Sequence, residues 1–456
     1  MPSTYLSKTG SGSGATTCTF SAWVKRSELQ VASGNPQCIW GWQNVSNSDR
    51  VVFHFNNGGS EDFRVYIQNS AGTATEMILA TNRQFRDVNS WYHIVIEIDT
   101  TQATSSDRAK LYINGVQETS FSTETYPTQN YVLKYMSSTG NTAIGNNGIY
   151  SYPYSGLLSH IHYIDGTAYD ASYFGETDAT TGIWKPKTAP SVTYGSQGYF
   201  LKFENSGSMG TDSSGNGNNF TVNGTLTQTV DTPSNVFATF NPLNVPTSNA
   251  PTYSNGNNTV VTANGTSAYF GGTSSLGVSS GKWYTEFKVS DVTADAFIGI
   301  TFDPAEDARN NRYTGQSSSS WGYYSGDGNY RTNGSATSYG ATFTTGDIIG
   351  IAMDLDNAKL YFSKNGTFQN SGDPTSGATG TGAISITSGE TYFFSCGDGT
   401  ASSASTIQAN FGNGYFGTTA VSSATSDESG LGIFEYSVPS GYYCLCTKNI
   451  NLLEYA

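Results

Sequence analysis

Short runs of alternating apolar and polar residues recur along this chain, separated by Asn, Gly, Ser and Thr. Residues 91–99 alternate, with Tyr92, Ile94, Ile96 and Ile98 on one side, because successive strand side chains point to opposite faces. Residues 348–355 and 383–394 also read as strands. No long stretch repeats apolar residues at i, i+3, i+4 and i+7, so helices are expected to be almost absent. Asn-Gly occurs ten times, among them at Asn114, Asn333 and Asn365, and Asp-Gly at Asp165, Asp327 and Asp398. These dipeptides suit turns with positive φ and are a strong hairpin signal. The pattern predicts an all-β chain of sandwiches or barrels.

Six of the 13 prolines lie between 183 and 254, at Pro186, Pro190, Pro233, Pro242, Pro246 and Pro251. This is read as an irregular, packed linker over residues 183–250. Within it, 198–203 and 219–222 are expected to be strands of a hairpin, joined by the Gly/Ser/Asn turn at 213–218. The linker divides two sandwich domains in tandem, residues 1–182 and 251–416. Residues 417–456 are too few for a domain and are read as a C-terminal extension, packed back on a sandwich or reaching a neighbour.

A length of 456 residues permits two or three domains. Twenty-one Lys and Arg against 35 Asp and Glu leave a net charge of −14. That argues against a nucleic-acid binder, whose affinity rests on cations facing phosphates, and against docking on an anionic membrane. No 18-residue apolar run marks a membrane span. The first 14 residues lack the apolar core of a secretory signal, so synthesis in a cytoplasm without such export is expected. Five cysteines without a CxxC pair argue against a zinc ribbon. Buried free thiols are expected; Cys18 and Cys38 could pair only if their strands are neighbours.

Four stretches of the first half, in order, carry a resemblance. They are Phe20-Ser-Ala-Trp-Val24, Trp91-Tyr-His-Ile-Val95, Leu111-Tyr-Ile-Asn-Gly-Val116 and the strand running from Gly156 through His160 and His162 to Gly166. Residues 5–175 thereby resemble a laminin-G/concanavalin A-like jelly roll. In the second half, Gly281-Lys-Trp-Tyr-Thr-Glu-Phe287, Phe297-Ile-Gly-Ile-Thr301, Trp321-Gly-Tyr-Tyr324, residues 346–356, residues 360–368 and Ala409-Asn-Phe-Gly412 resemble a SPRY domain over 255–416. That resemblance implies a β-sandwich binding partners through loops at one end. Segments such as Gly182-Ile-Trp-Lys-Pro186, residues 212–220 and Val438-Pro-Ser-Gly-Tyr442 are similar to those of tailed-bacteriophage virion proteins combining the two domain types.

The polar residues offer few sets with the spacing that chemistry needs. His160 and His162, two apart, with Asp165, form a conceivable metal set; two polar residues on a solvent-facing strand edge is the favoured reading. Glu97 and Asp99 share a strand face with Trp91 and His93. Glycoside hydrolysis needs a second positioned acid, and Thr101 and Gln102 offer none. Residues 212–219 hold several oxygen-bearing side chains that could bind calcium, but read more simply as a turn. No catalytic residue, metal site or cofactor is assigned, and the chain is expected not to be an enzyme.

Aromatic loops are the better candidates. Tyr150, Tyr152 and Tyr154 alternate in a Gly- and Pro-flanked segment, and tyrosines pair apolar area with a polar tip. Tyr330 and Arg331 are candidates to reach a ligand from the second half, where Trp321 and Tyr323 are expected in the core. The resemblance implies a non-enzymatic phage virion protein, a tail fibre, appendage or knob, exposed on the particle. Its expected partners are other virion proteins and a host surface glycan or receptor, with homo-oligomeric assembly. Capsid decoration is the alternative, and a glycan-degrading enzyme the second.

Overall fold

The computed structural model describes residues 4–454 except residue 11 and residues 30–34, 45–48, 57–58, 70–74, 135–139, 150, 265–268, 293–294 and 400–402. The chain is all-β, built as sandwiches, as the alternation predicts. It divides into two compact units, Met1–Gln228 and Thr229–Ala456.

The first unit pairs an eight-stranded sheet with a six-stranded one. The larger runs in the order Phe121–Thr125, Thr75–Gln84, Asp62–Gln68, Arg50–Phe55, Gln37–Asn44, Gly140–Ile144, Tyr5–Thr9, Thr221–Asn223. The smaller runs Tyr199–Leu201, Gly156–Asp165, Thr17–Arg26, Tyr92–Asp99, Ala109–Ile113, Val116–Glu118. Phe20, Ala22 and Val24 join Ile94, Ile96 and Ile98 on one inner face, against Trp40, Val51, Phe53, Phe55 and Val65 from the other sheet. Alternation makes this core, since every second side chain of each strand points inward. Asn114 and Gly115, at φ +51° and +82°, turn Ile113 directly opposite Val116; two successive positive φ values are what this tight hairpin needs.

The segment from 183 to 228 is not a linker. Tyr199–Leu201 pairs with Gly156–Asp165, and Thr221–Asn223 pairs with Tyr5–Thr9. The two expected partners of one hairpin are thus edge strands of opposite sheets, where each satisfies an exposed row of backbone donors and acceptors. Asp212 holds the connection: its carboxylate accepts from the backbone N–H groups of Phe200, Ser214 and Asn218 at 2.8–2.9 Å. Residues 169–194 also cover the outer face of the six-stranded sheet, where Val95, Ile164, Ala171 and Phe174 form a second apolar layer with Trp184 and Tyr194.

In the second unit, Lys282–Val292 lies between Ser405–Asn410 and Ile348–Asp354 in one sheet. The facing sheet is Phe270–Thr273, Phe393–Asp398, Ala296–Thr301, Ser320–Tyr324, Asn329–Thr332, Ser335–Ser338. Residues 383–394 are not one strand; Ile384–Ser385 is separated from Phe393–Asp398 by a turn in which Gly389 has φ +82°. The C-terminal segment packs back on this unit. Tyr443–Cys444 pairs in parallel with Lys282–Val292, and Phe434, Tyr442, Cys444 and Cys446 form an outer apolar layer with Tyr284, Ala352 and Tyr361.

Two short helices, Pro304–Arg309 and Thr447–Glu454, were not foreseen. The first had a legible start: Asp303 accepts from the Glu306 N–H at 3.0 Å and Pro304 follows the cap. All five cysteines are free and buried, and Cys18 and Cys38 lie on opposite sheets.

Candidate functional site

Of the three loop tyrosines, Tyr150 lies outside the described residues. Tyr154 packs toward the core: its ring stacks on Phe55 at 6.3 Å between centroids, and its hydroxyl is buried without a partner. Burial pushes that phenol well above its ordinary pKa. Tyr152 is half-buried and anchored through its backbone. Its N–H donates to Asn146 Oδ1 at 2.9 Å, and its carbonyl accepts from the Cys38 N–H at 3.2 Å.

Tyr152 and Pro36 form a wall of a cleft of about 210 Å³ on the outer face of the eight-stranded sheet. Arg50, Val52 and His54 line it from one strand, Arg64 and Tyr66 from the next, and Ile78 from the third. These are the positions alternating with the core residues Val51, Phe53 and Phe55. His54 sits opposite Arg64, Val52 opposite Tyr66, and Tyr66 opposite Ile78. The Arg50 guanidinium lies 5.5 Å from the centre of the Tyr66 ring. Arg64 Nε meets Asp62 Oδ2 at 2.7 Å. Burial raises the Asp62 pKa, but the hydrogen bonds from Arg64 and Ser60 outweigh it and hold the group below its ordinary value. Burial, assisted by the Arg64 charge, lowers His54 to about 4, so its ring is neutral at pH 7.

In the second unit, Tyr330 and Arg331 are adjacent on one strand and face opposite ways. Tyr330 turns inward, edge-on to Tyr339 with centroids 6.0 Å apart. Arg331 turns outward, 4.1 Å above the Tyr324 ring and 5.4 Å from that of Phe297, with Nη2 2.9 Å from Asp327 Oδ2. It ends a row of rings. Phe297 stacks on Tyr324 at 4.5 Å and on Tyr313 at 4.4 Å, and Tyr313 meets Tyr269 edge-on at 6.0 Å. Phe297 is buried beneath the row; Tyr269, Tyr313, Tyr324 and Arg331 are half-buried. The sequence reading missed Tyr269, Tyr313, Phe297 and Tyr324 as a group. The register Phe297 opposite Tyr324 assembles it, and that pairing is not readable from either stretch alone.

The titratable residues weighed for chemistry are committed elsewhere. Glu97 accepts from Tyr112 Oη at 2.7 Å, and Asp99 closes a turn through Thr101 and Gln102. His93 is fully buried and stacks on Trp23 at 4.7 Å. Trp184 Nε1 donates to its Nδ1 at 3.0 Å; an indole only donates, so Nε2 carries the proton toward Ser21 Oγ at 2.9 Å. Burial takes His93 down to about 3.

The expected solvent-facing pair does not form. A bulge between Ser159 and His162 breaks the two-residue period, with His160 at φ +46°. His162 is buried, stacked on Phe200 at 3.9 Å with Nδ1 2.9 Å from Tyr194 Oη. Asp165 accepts from Ser196 Oγ and the Gln197 N–H. Among the described residues, no three His, Cys, Asp or Glu side chains gather as a metal set.

Comparison with known proteins places two domains in this chain. The Concanavalin A-like lectin/glucanases superfamily profile matches residues 3–172, and the SPRY domain profile matches residues 282–395. The chain is 36% identical over 89 residues to the Ran-binding proteins 9/10 homolog of Drosophila melanogaster, spanning 19% of this chain and 9% of that protein. It is 37% identical over 87 residues to Ran-binding protein 9 of Danio rerio and of Homo sapiens, spanning 14% and 12% of their lengths. The SPRY domain of human HERC1 is similar at 21% identity and a TM-score of 0.29, covering 37% of this chain and 96% of that one. A heptameric pentraxin from Limulus polyphemus is similar at 12% identity and a TM-score of 0.28, covering 37% and 72%.

These relatives correct the functional expectation. They are Ran-binding proteins of Drosophila melanogaster, Danio rerio and Homo sapiens, which does not fit a bacteriophage virion protein. The phage virion protein, in its tail-fibre and capsid-decoration forms, is therefore set aside. Its location on a particle falls with it, as do the virion and host-surface partners and the homo-oligomeric assembly expected of a particle component.

Proposed function

We propose that this chain is a non-catalytic recognition protein whose SPRY unit holds a partner protein on the ring row Tyr269, Tyr313, Phe297, Tyr324 and Arg331. The observation that carries the reading is the row itself. Stacked, half-buried tyrosines ending in a guanidinium offer large contact area with little side-chain freedom left to lose. Tyr and Arg are also the residues that dominate interface energetics. The name Ran-binding protein, borne by relatives sharing a short stretch with this chain, supports a protein partner. Engagement of Glu97, Asp99, His93 and His162 in structural bonds supports a role without catalysis.

The test immobilises the full chain and presents Ran in its GDP- and GTP-loaded forms, together with a displayed peptide library. Saturable binding of Ran or of one peptide class is expected. It should weaken about tenfold or more in Tyr313→Ala and Tyr324→Ala and persist in Tyr152→Ala. Retention of nothing, or equal binding by both ring variants, would refute the reading.

A further inference from the structure

We propose that the cleft on the outer face of the eight-stranded sheet binds an oxyanion, a carboxylate, sulfate or phosphate group carried on a small ring-bearing ligand. The site lies within residues 36–152 and does not depend on the reading of the second unit.

Charge is the first argument. The chain carries a net −14, yet this cleft presents two guanidinium groups. Asp62 answers Arg64. The Arg50 side chain has no hydrogen bond or ion pair among the described residues; its one contact of this kind is the Tyr66 ring. A cation on an open, solvated face would keep its donors in water. Here Arg50 Nε, one of the three guanidinium nitrogens, is withdrawn from solvent and unpartnered, and a buried donor is costly until an acceptor arrives.

The second argument is the neighbouring imidazole. His54 Nδ1 is likewise buried; it approaches the Phe55 backbone but makes no hydrogen bond of good geometry. Two strand-borne polar side chains, two turns of the pleat apart on one strand, therefore line the same cleft with unmet hydrogen-bonding capacity. Being on strands, they are held in place before any ligand enters.

Size and walls narrow the ligand. About 210 Å³ is below the range of drug-sized sites, roughly 300–1,000 Å³. It suits an anionic head with part of one ring. Tyr66, Tyr152 and Pro36 supply flat apolar walls for that ring. The guanidinium fork matches the paired oxygens of an oxyanion, which a lysine ammonium would not.

Calorimetric titration of the full chain at low ionic strength, with phenyl phosphate, phenyl sulfate and benzoate as probes and phenol as the neutral control, tests this. At least one ring anion should bind saturably while phenol does not, and the ranking of the three identifies the head group. Arg50→Ala should weaken binding about tenfold or more, with Arg50→Lys in between and His54→Gln weaker than wild type by a smaller factor. Arg50→Gln keeps part of the stem over Tyr66 and must show the same loss even if the alanine variant is less stable. Binding of no ring anion above phenol, or wild-type binding by Arg50→Gln, would overturn the proposal.

Discussion

In the first unit, fully buried titratable groups outside the main core include two imidazoles, His93 and His162; in the second, a carboxylate, Glu286, holds the comparable place. All three sit on the outward side of a sheet and are sealed by chain that follows or returns. Residues 169–194 and the strand Tyr199–Leu201 cover the histidines. Residues 433–436 cover Glu286, whose two carboxylate oxygens accept from the Glu435 and Tyr436 N–H groups at 2.8 and 2.9 Å. An imidazole can be buried neutral with one donor and one acceptor met. A carboxylate must gather donors, and Glu286 does so from the covering backbone. The same sandwich plan thus ends in opposite responses to pH.

The largest expected effects test whether the covers are integral. Phe174→Ala and Phe434→Ala each remove a buried ring from a cover and should cost about 3–5 kcal/mol. Urea unfolding, followed separately for the two transitions, should show each loss in its own unit. If either midpoint stays unchanged, that cover is an appendage and the comparison fails there.

The next effect is the divergence with pH. Burial raises Glu286 to about 7, although Glu435, Tyr436, Tyr284 and Asn410 donate to it and pull it back. Its folded form keeps the proton above the ordinary 4.5, so the second unit should lose about 3 kcal/mol as pH rises from 4.5 through 7. Glu286→Gln should flatten that slope. His93 has the opposite sign. Its folded form refuses the proton down to about 3, while the unfolded chain accepts it near 6.5. The first unit should therefore lose stability as pH falls below 6.5, by about 1.4 kcal/mol per pH unit for each such histidine. His162 and His54, both lowered, add to it. Thermal unfolding across pH 4–8 reads both slopes, and parallel slopes would abolish the contrast.

The smallest expected effect concerns Arg331. Arg331→Lys keeps the charge near Asp327 but loses the planar stack on Tyr324. A loss of about 0.5–1 kcal/mol in the second unit is expected, measured by urea midpoint. A larger loss would mean that the ring row is held by Arg331 rather than merely ended by it.

Much of this architecture was legible in the sequence because its causes are local. Alternation named Ile94, Ile96 and Ile98 as one buried face, and Asn114-Gly115 as a tight turn. Trp321 and Tyr323 were placed in the core by the SPRY resemblance, and both are buried. What failed was whatever depended on a partner distant in sequence. Residues 183–228 read as a linker because the two short strands expected there were paired with each other, and the sheet edges that take them lie far away in sequence. His160 and His162 read as one exposed face because nothing local announces a bulge. Tyr152 and Tyr154 looked alike, yet one lines a cleft and the other packs on Phe55.

The class of fold, the inner faces and the hairpin turns were legible in the residues alone, since these follow from side-chain period and backbone preference; the two domain types rested on resemblance to known families. Which outer faces are sealed and which stay open was settled by the folding of the whole chain. The strand bearing His93 and the strand bearing His54 show similar alternation. One received a cover that completes its hydrogen bonds, and the other was left with Arg50 and His54 unpartnered, because cover is a property of where distant chain comes to rest.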